Sequence, residues 1–255
     1  MSKRNTPQRR HGILALLNEQ GEVSVDELAR RFETSEVTVR KDLAALESNG
    51  LLLRRYGGAI SMPHELVGDP GQSVSKHKQA IARAAVGCLR EHARIIIDSG
   101  STTAAMIPEL GRQPGLVVMT NSLHVARALS ELEHEPVLLM TGGTWDPHSE
   151  SFQGQVAEQV LRSYDFDQLF IGADGIDLQR GTTTFNELLG LSRVMAQVAR
   201  EVVVMVEADK IGRRIPNLEL PWSSVHTLIT DERLPLEARE QIQARGIHLI
   251  CAAVS

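Results

Sequence analysis

The chain has 255 residues but only two cysteines, Cys88 and Cys251, far apart and each in apolar surroundings. That argues against a disulfide framework or a nucleophile and reads as reduced core packing. No apolar run approaches the roughly 18 residues that a membrane-spanning helix needs. The basic start is followed by ILALL, which Asn18 and Glu19 interrupt too soon for a secretory segment, so the expected setting is the cytoplasm with no membrane partner. Nine histidines are scattered without a spacing such as H-E-x-x-H, and neither a metal site nor another cofactor is expected. The phosphate-loop pattern G-x-x-x-x-G-K-S/T is missing, and no G-x-G-x-x-G opens a helix, which weakens any nucleotide-binding reading.

What is present is unevenly charged. Residues 1–60 carry a net +2 and the remainder a net −7, so a weakly basic end sits on an acidic body, a balance that points toward a polyanion at that end. The local grammar there is more specific. Thr6-Pro7 opens a helix in which Ile13, Leu16 and Leu17 share a face, ending near Gly21. Val23 allows a strand residue, and Ser24-Val-Asp-Glu27 is a capping box for a second helix, DELARRFE. Ser35 caps a third, VTVRKDLAALES, closed by Asn49-Gly50.

At about 100° per residue the third helix buries Val39, Leu43 and Leu46 and turns Val37, Lys41 and Ala44 outward, with Thr38 and Arg40 beside them. Such a face suits a major groove, where cations reach guanine or phosphate and small apolar groups meet thymine methyls. LLLRR, a glycine turn and AI then read as a wing that places Arg54 and Arg55 against phosphates. The stretches VSVDELARRFETSEVTVRKDLAALESNGLL and RRYGGAI resemble the N-terminal domain of the DeoR family of bacterial transcription regulators. The resemblance makes Ser35, Thr38, Arg40, Lys41, Arg54 and Arg55 the DNA-binding residues. Lys41 stands where the family usually has a second arginine, a point charge in place of a two-pronged fork.

Residues 61–75 are rich in Pro, Gly and Ser and read as a linker between a winged helix-turn-helix domain, 1–60, and a second domain, 76–255. In the latter, seven apolar runs (ARIIID, LVVMT, PVLLM, QLFIG, VVVMV, HTLI and IHLI) alternate with helical patterns at 76–91, 103–111, 122–133, 153–163, 187–200 and 235–245. Continuous apolar strands separated by helices imply a Rossmann-like α/β fold with a largely parallel sheet, whose ligands bind beyond the carboxyl ends of the strands. Four of those ends are small, hydroxylated or acidic: Asp98, Ser99, Gly100, Ser101, Thr102 and Thr103; Thr120, Asn121 and Ser122; Thr141-Gly142-Gly143-Thr144; and Gly172-Ala-Asp174. Hydroxyls and backbone N–H groups there can hold a phosphate without a lysine, with Asn121, Asp174 and Lys210 left for sugar hydroxyls.

KQAIARAA, IIIDSGSTT, VVMTNSLHVARAL, LLMTGGTW, FQG and LFIGADGID are similar to the effector domain of the same family. That resemblance implies a ribose-5-phosphate-isomerase-like fold and an effector surrounded by Asp98 to Thr103, Thr120 to Ser122, Gly142, Gly143, Asp174 and Lys210. It further implies a transcription regulator, by default a repressor of a sugar or amino-sugar operon, in which a phosphorylated sugar controls binding to double-stranded operator DNA. A homodimer or homotetramer reading repeated half-sites is expected. The competing class is a sugar-phosphate isomerase using Asp174, Glu187, Asp209 or Lys210. Against it, a DNA-reading head already gives sensing a purpose, and no paired base and orienting residue emerges.

Overall fold

The computed structural model describes residues 6–47, 52–55, 57–61, 74–147, 149–186, 189–213, 215 and 217–254. The Asn49-Gly50 turn, most of the 61–75 linker and Glu187 lie outside them. The chain divides into two compact units, Met1–Gln72 and Ser73–Ser255.

In the first unit, α1 (Thr6–Gln20), β1 (Glu22–Ser24), α2 (Val25–Arg31) and α3 (Glu36–Glu47) are followed by β2 (Leu52–Arg55) and β3 (Gly58–Ser61). The three strands form one antiparallel sheet in the order β1-β3-β2. Ser24 Oγ accepts from Glu27 N–H at 3.1 Å, so the second helix starts where the capping serine stands. Gly57, at φ 81°, turns the wing in the left-handed region that favours glycine. Ile13, Leu17, Leu28, Val39, Leu43 and Leu52 are fully enclosed and form the unit's core.

The second unit is an α/β domain. Its elements are α4 (Lys76–Val86), β4 (Arg94–Ile97), α5 (Ser101–Ala104), α6 (Ile107–Leu110), β5 (Val117–Thr120), α7 (Leu123–Ser130), β6 (Val137–Met140), β7 (Thr144–Asp146), β8 (Ser151–Gln153), α8 (Gln155–Arg162), β9 (Phe166–Ile171), β10 (Gly175–Asp177), β11 (Gly181–Thr184), α9 (Gly190–Val198), β12 (Ala199–Met205), β13 (Asn217–Pro221), β14 (Thr227–Asp231), α10 (Leu236–Gln243) and β15 (His248–Ala252). The seven apolar runs form one wholly parallel sheet, ordered β15-β14-β12-β9-β4-β5-β6.

Alternation divides each strand between two cores. Ile96, Leu169, Val202 and Val204 face α8, α9 and α10, while Ile95, Ile97, Phe170, Val203 and Met205 face α4, α6 and α7. Each such fully enclosed side chain stabilises the fold by about 1.5–3 kcal/mol relative to exposure.

Two expectations change. The helix expected at 103–111 is two single turns, α5 and α6, because Pro108 lies at the start of the second and offers no N–H to continue the first. Two small antiparallel sheets, β7-β8 and β10-β11-β13, were not foreseen, since runs such as GTTT and TWD lack an apolar stripe.

Candidate functional site

On the first unit, Ser35 Oγ accepts from Thr38 N–H at 3.2 Å and lies 2.9 Å from Thr38 Oγ1, which fixes the start of α3. Val37 is 60% exposed, Lys41 is exposed and Ala44 is half-buried, while Val39, Leu43 and Leu46 are enclosed. Arg40 pairs with Glu36 one turn earlier at 2.7 Å, and Arg54 with Glu47 at 2.7 Å. Lys41 pairs with no acid among the described residues. Exposed pairs of this kind contribute roughly 0–1 kcal/mol, so a phosphate can replace the glutamate at little cost. The Arg55 side chain lies outside the described residues.

Asp42 has the opposite environment. Its side chain is 4% exposed and is clamped by Arg9 and, at 3.0 Å, by Arg10, which ties the recognition helix to α1.

In the second unit the chain runs outward from β4 to β5 and β6, then returns to lay β9 on the other side of β4. The topological switch point therefore lies between β4 and β9, beyond whose carboxyl ends the ligands of such open sheets bind. The loop 98–103 leaves β4 on one side, and Gly172, Ala173 and Asp174 leave β9 on the other. Asn121, at the neighbouring end of β5, closes toward them, its Oδ1 accepting from Ser99 N–H at 3.1 Å.

Several of the hydroxyls read as ligands serve the loops themselves. Thr103 Oγ1 donates to the carbonyls of Asp98 (2.8 Å) and Gly100 (2.9 Å) and is fully buried. Thr120 Oγ1 accepts from Ser122 N–H, and Ser122 Oγ caps α7 by accepting from Val125 N–H. Thr102 is 6% exposed, whereas Ser101 and Gly100 are exposed and Ser99 is half-buried. Gly142 and Gly143 have φ 59° and 115°, and a Cβ on Gly143 would come within 2.5 Å of the Gln153 carbonyl, so this glycine lets β8 approach.

A cation does stand at the loop, contrary to the expectation that none is needed. Lys78 Nζ, one turn into α4, donates to Ser101 Oγ at 2.9 Å and lies 3.8 Å from Glu207. Ser75 caps that helix and also donates to Glu207 at 3.0 Å. Lys210 is buried and its Nζ donates to Ala173 O at 3.2 Å, beside Asp174. Asp174 Oδ2 accepts from Thr184 Oγ1 (2.7 Å) and Phe185 N–H (3.1 Å).

Sequence reasoning missed Glu219 altogether. It lies on β13 at 8% exposure, its carboxyl accepting from Ser192 Oγ at 2.8 Å and Thr182 Oγ1 at 3.2 Å. Burial, reinforced by repulsion from Asp98 and Asp174 and opposed by the two hydroxyls, pushes that carboxyl up to about 8. Loss of surrounding water, with added repulsion from Asp174, likewise raises Asp98 to about 6 against hydrogen bonds from Ser99 and Asn121. A shallow cleft of about 280 Å³ beside the β7-β8 hairpin, lined by Thr144, Trp145, Gln153, Glu158 and Leu191 among others, has no cation in its wall.

A winged head presenting a recognition helix, in one chain with a parallel-sheet domain whose strand ends carry polar residues, defines a DNA-binding transcription regulator of the head-and-sensor kind. The DeoR-like helix-turn-helix domain matches residues 9–65, and the DeoR C terminal sensor domain matches residues 73–232. The chain belongs to the DeoR family of transcription regulators and is a regulator, not an enzyme. It is 36% identical to the putative aga operon transcriptional repressor of Escherichia coli, over 96% of this chain and 93% of that one. It is 29% identical to the HTH-type transcriptional regulator GlpR of Haloferax volcanii, over 95% and 96%. Among solved structures it is similar to ribose 5-phosphate isomerase A from Methanocaldococcus jannaschii, at 22% identity and a TM-score of 0.40 over 52% of this chain and 53% of that one. No helix among the described residues is long and apolar enough to cross a membrane.

Proposed function

We propose that this regulator represses a sugar or amino-sugar metabolism operon and that a phosphorylated sugar, held beyond the ends of β4, β5 and β9, controls its grip on double-stranded operator DNA. The observation that carries this reading is the Lys78 ammonium hydrogen-bonded to Ser101 in a loop of hydroxyls and exposed backbone at the switch point. A cation beside hydroxyl and N–H donors is the chemistry a phosphate dianion requires. Asn121, Asp174 and Lys210 then face the rest of the sugar. Phosphate specificity rests on Lys78 and the 99–101 backbone more than on Thr103 or Ser122, whose hydroxyls already hold their own loops.

The effector releases DNA only to the extent that it binds the DNA-incompetent arrangement more tightly. A homodimer or homotetramer reading repeated half-sites fits the small size of one winged head. The reading is tested by melting the full chain against a panel of sugar phosphates and their unphosphorylated parents. A cognate phosphate at about 100 times its Kd should stabilise the sensor by about 2.7 kcal/mol. Lys78→Ala should weaken that phosphate at least tenfold, and the same phosphate should displace wild-type protein from operator DNA. No shift with any phosphorylated sugar, in a folded sample, refutes the reading.

A further inference from the structure

The first turn of α4 is where the chain enters the sensor from the head, because the second unit begins at Ser73. Ser75 Oγ accepts from Lys78 N–H at 3.1 Å and so caps the helix. The same hydroxyl donates its proton to Glu207 Oε1 at 3.0 Å, across 132 residues, just past the end of β12. Gln79 reaches back from that turn to the Val74 carbonyl at 3.1 Å. One carboxylate therefore fastens the entry of the chain to the carboxyl end of a sheet strand.

Glu207 faces three donors. Its Oε1 takes the Ser75 hydroxyl and lies 3.9 Å from Arg233 Nη2, while its Oε2 lies 3.8 Å from Lys78 Nζ. Of these, the serine alone is within hydrogen-bond reach. Lys78 meanwhile donates to Ser101 at 2.9 Å, inside the loop assigned above to the phosphate. Arg233 is fixed from behind by Asp231, at 2.6 and 3.0 Å, and so offers a set position to a carboxylate that turns toward it. His77, in the same turn as Ser75 and Lys78, leaves its buried Nδ1 without a hydrogen-bond partner among the described residues, 3.8 Å from Asp231 Oδ1. Contacts of 3.8–3.9 Å are ones that a small shift of the turn completes or breaks.

Resting on the sugar-phosphate reading above, we propose that Glu207 couples the phosphate site to the start of α4, and through it to the DNA-binding head. In the empty sensor Glu207 holds Ser75, and Lys78 is shared between Glu207 and Ser101. A phosphate dianion on Lys78 and Ser101 takes up that cation's charge and brings negative charge toward Glu207. Like charges repel, so the carboxylate turns to Arg233 and gives up the Ser75 hydroxyl. The first turn of α4 then keeps its cap but loses its tie to β12, and His77 closes on Asp231. Occupancy of the site becomes a change at the attachment point of the head, which is the differential contact that linkage requires of an effector.

The decisive test needs no effector. Operator fragments are selected from random DNA by the wild-type full chain, and the affinity of variants for them is measured by anisotropy at matched salt. Glu207→Ala removes the acceptor, and Ser75→Asp keeps a good helix cap but sets a second carboxylate against Glu207. Each should weaken the operator by about fivefold or more, the lower end of ordinary allosteric coupling, with the head transition unmoved in calorimetry. Ser75→Asn retains a capping oxygen and an N–H donor for Glu207, and should bind within about twofold of wild type. A role in packing alone would not distinguish aspartate from asparagine. Lys78→Met added to Ser75→Asp should weaken the operator no further, because both cut one path, whereas independent effects multiply. If the aspartate and asparagine variants bind operator alike, the coupling is overturned, and the sugar-phosphate reading is still judged by its own melting panel. That comparison decides even if Glu207→Ala does not fold. The probes for the phosphate arm are inorganic phosphate and the 6-phosphates of glucose, galactose, glucosamine and galactosamine. If Ser75→Asp weakens the operator and Ser75→Asn does not, yet no probe stabilises the sensor or displaces wild-type protein, the phosphate reading falls and Glu207 stands as the residue that ties the sensor to the head's grip.

Discussion

Asp42→Ala is the most informative perturbation of the DNA-binding head. Asp42 is enclosed, and so is Arg9, whose side chain is 10% exposed, while Arg10 is 34% exposed. Removing the acid leaves two guanidinium groups crowded against α3, one of them nearly cut off from water. Breaking a buried pair by deleting one partner costs about 3–5 kcal/mol, far above the roughly 0–1 kcal/mol of the exposed Arg40–Glu36 and Arg54–Glu47 pairs. A unit the size of Met1–Gln72 has a total stability of about 5 kcal/mol by the usual per-residue range. Losing about 4 of these leaves roughly one head in six unfolded at 25 °C. The melting midpoint of the head should fall by about 4–8 °C for each kcal/mol lost.

Differential scanning calorimetry of the full chain separates this from a general effect. The head transition should move far down in temperature while the Ser73–Ser255 transition stays in place. Operator affinity should fall, although Asp42 faces away from the groove. A cycle with Arg9→Ala should return a coupling of at least about 1 kcal/mol, as expected for residues that touch directly. A head midpoint within a degree or two of wild type, with unchanged operator affinity, would refute the claim that this acid clamps α3 to α1.

Three further outcomes are expected. Arg40→Ala with Lys41→Ala should weaken operator binding and make the salt dependence of log K shallower by about 0.9 for each phosphate no longer neutralised, measured by anisotropy across a salt series with the sensor melt unchanged. Ser101→Glu should place a carboxylate where the proposed effector phosphate would sit, and a variant still released from DNA by effector at wild-type concentrations would remove this loop from the site. The empty sensor should lose stability as pH rises from 6 to 8. The folded pKa of Glu219 lies near 8, above its ordinary value, so its contribution is fully present at low pH and is lost on approach to pH 8. Its slope approaches 1.4 kcal/mol per pH unit, about 2–3 kcal/mol across this window. Asp98, titrating near 6, acts in the same sense but at lower pH. Urea melts at several pH values check this, and Glu219→Gln should flatten the dependence.

The parallel sheet was legible because each strand had to be apolar on both faces, so seven runs announced themselves without help from tertiary structure. The position of the crevice followed with it: a parallel sheet sends all its strand ends to one edge, and small polar residues repeated after LVVMT, PVLLM and QLFIG had to meet the loop after ARIIID. The order of the strands, and hence the placing of the switch point between β4 and β9, is not written in any single run. Capping gives individual hydroxyls a local role that composition does not reveal. Ser122 and Thr103 sit where a strand gives way to a helix, and there a hydroxyl satisfies its own backbone first.

Lys78 and Glu219 were hidden for a different reason. Lys78 meets Ser101 across 23 residues, and Glu219 meets Ser192 across 27 and Thr182 across 37. In NLELP a lone glutamate between leucines reads as the solvent side of an amphipathic strand, and only the packing of β13 against β11 and α9 reverses it. Composition can show that a crevice is polar, because every strand end contributes. The sign of its charge depends on one or two residues delivered from distant elements, here the Lys78 ammonium at Ser101 and the Glu219 carboxyl at Ser192 and Thr182.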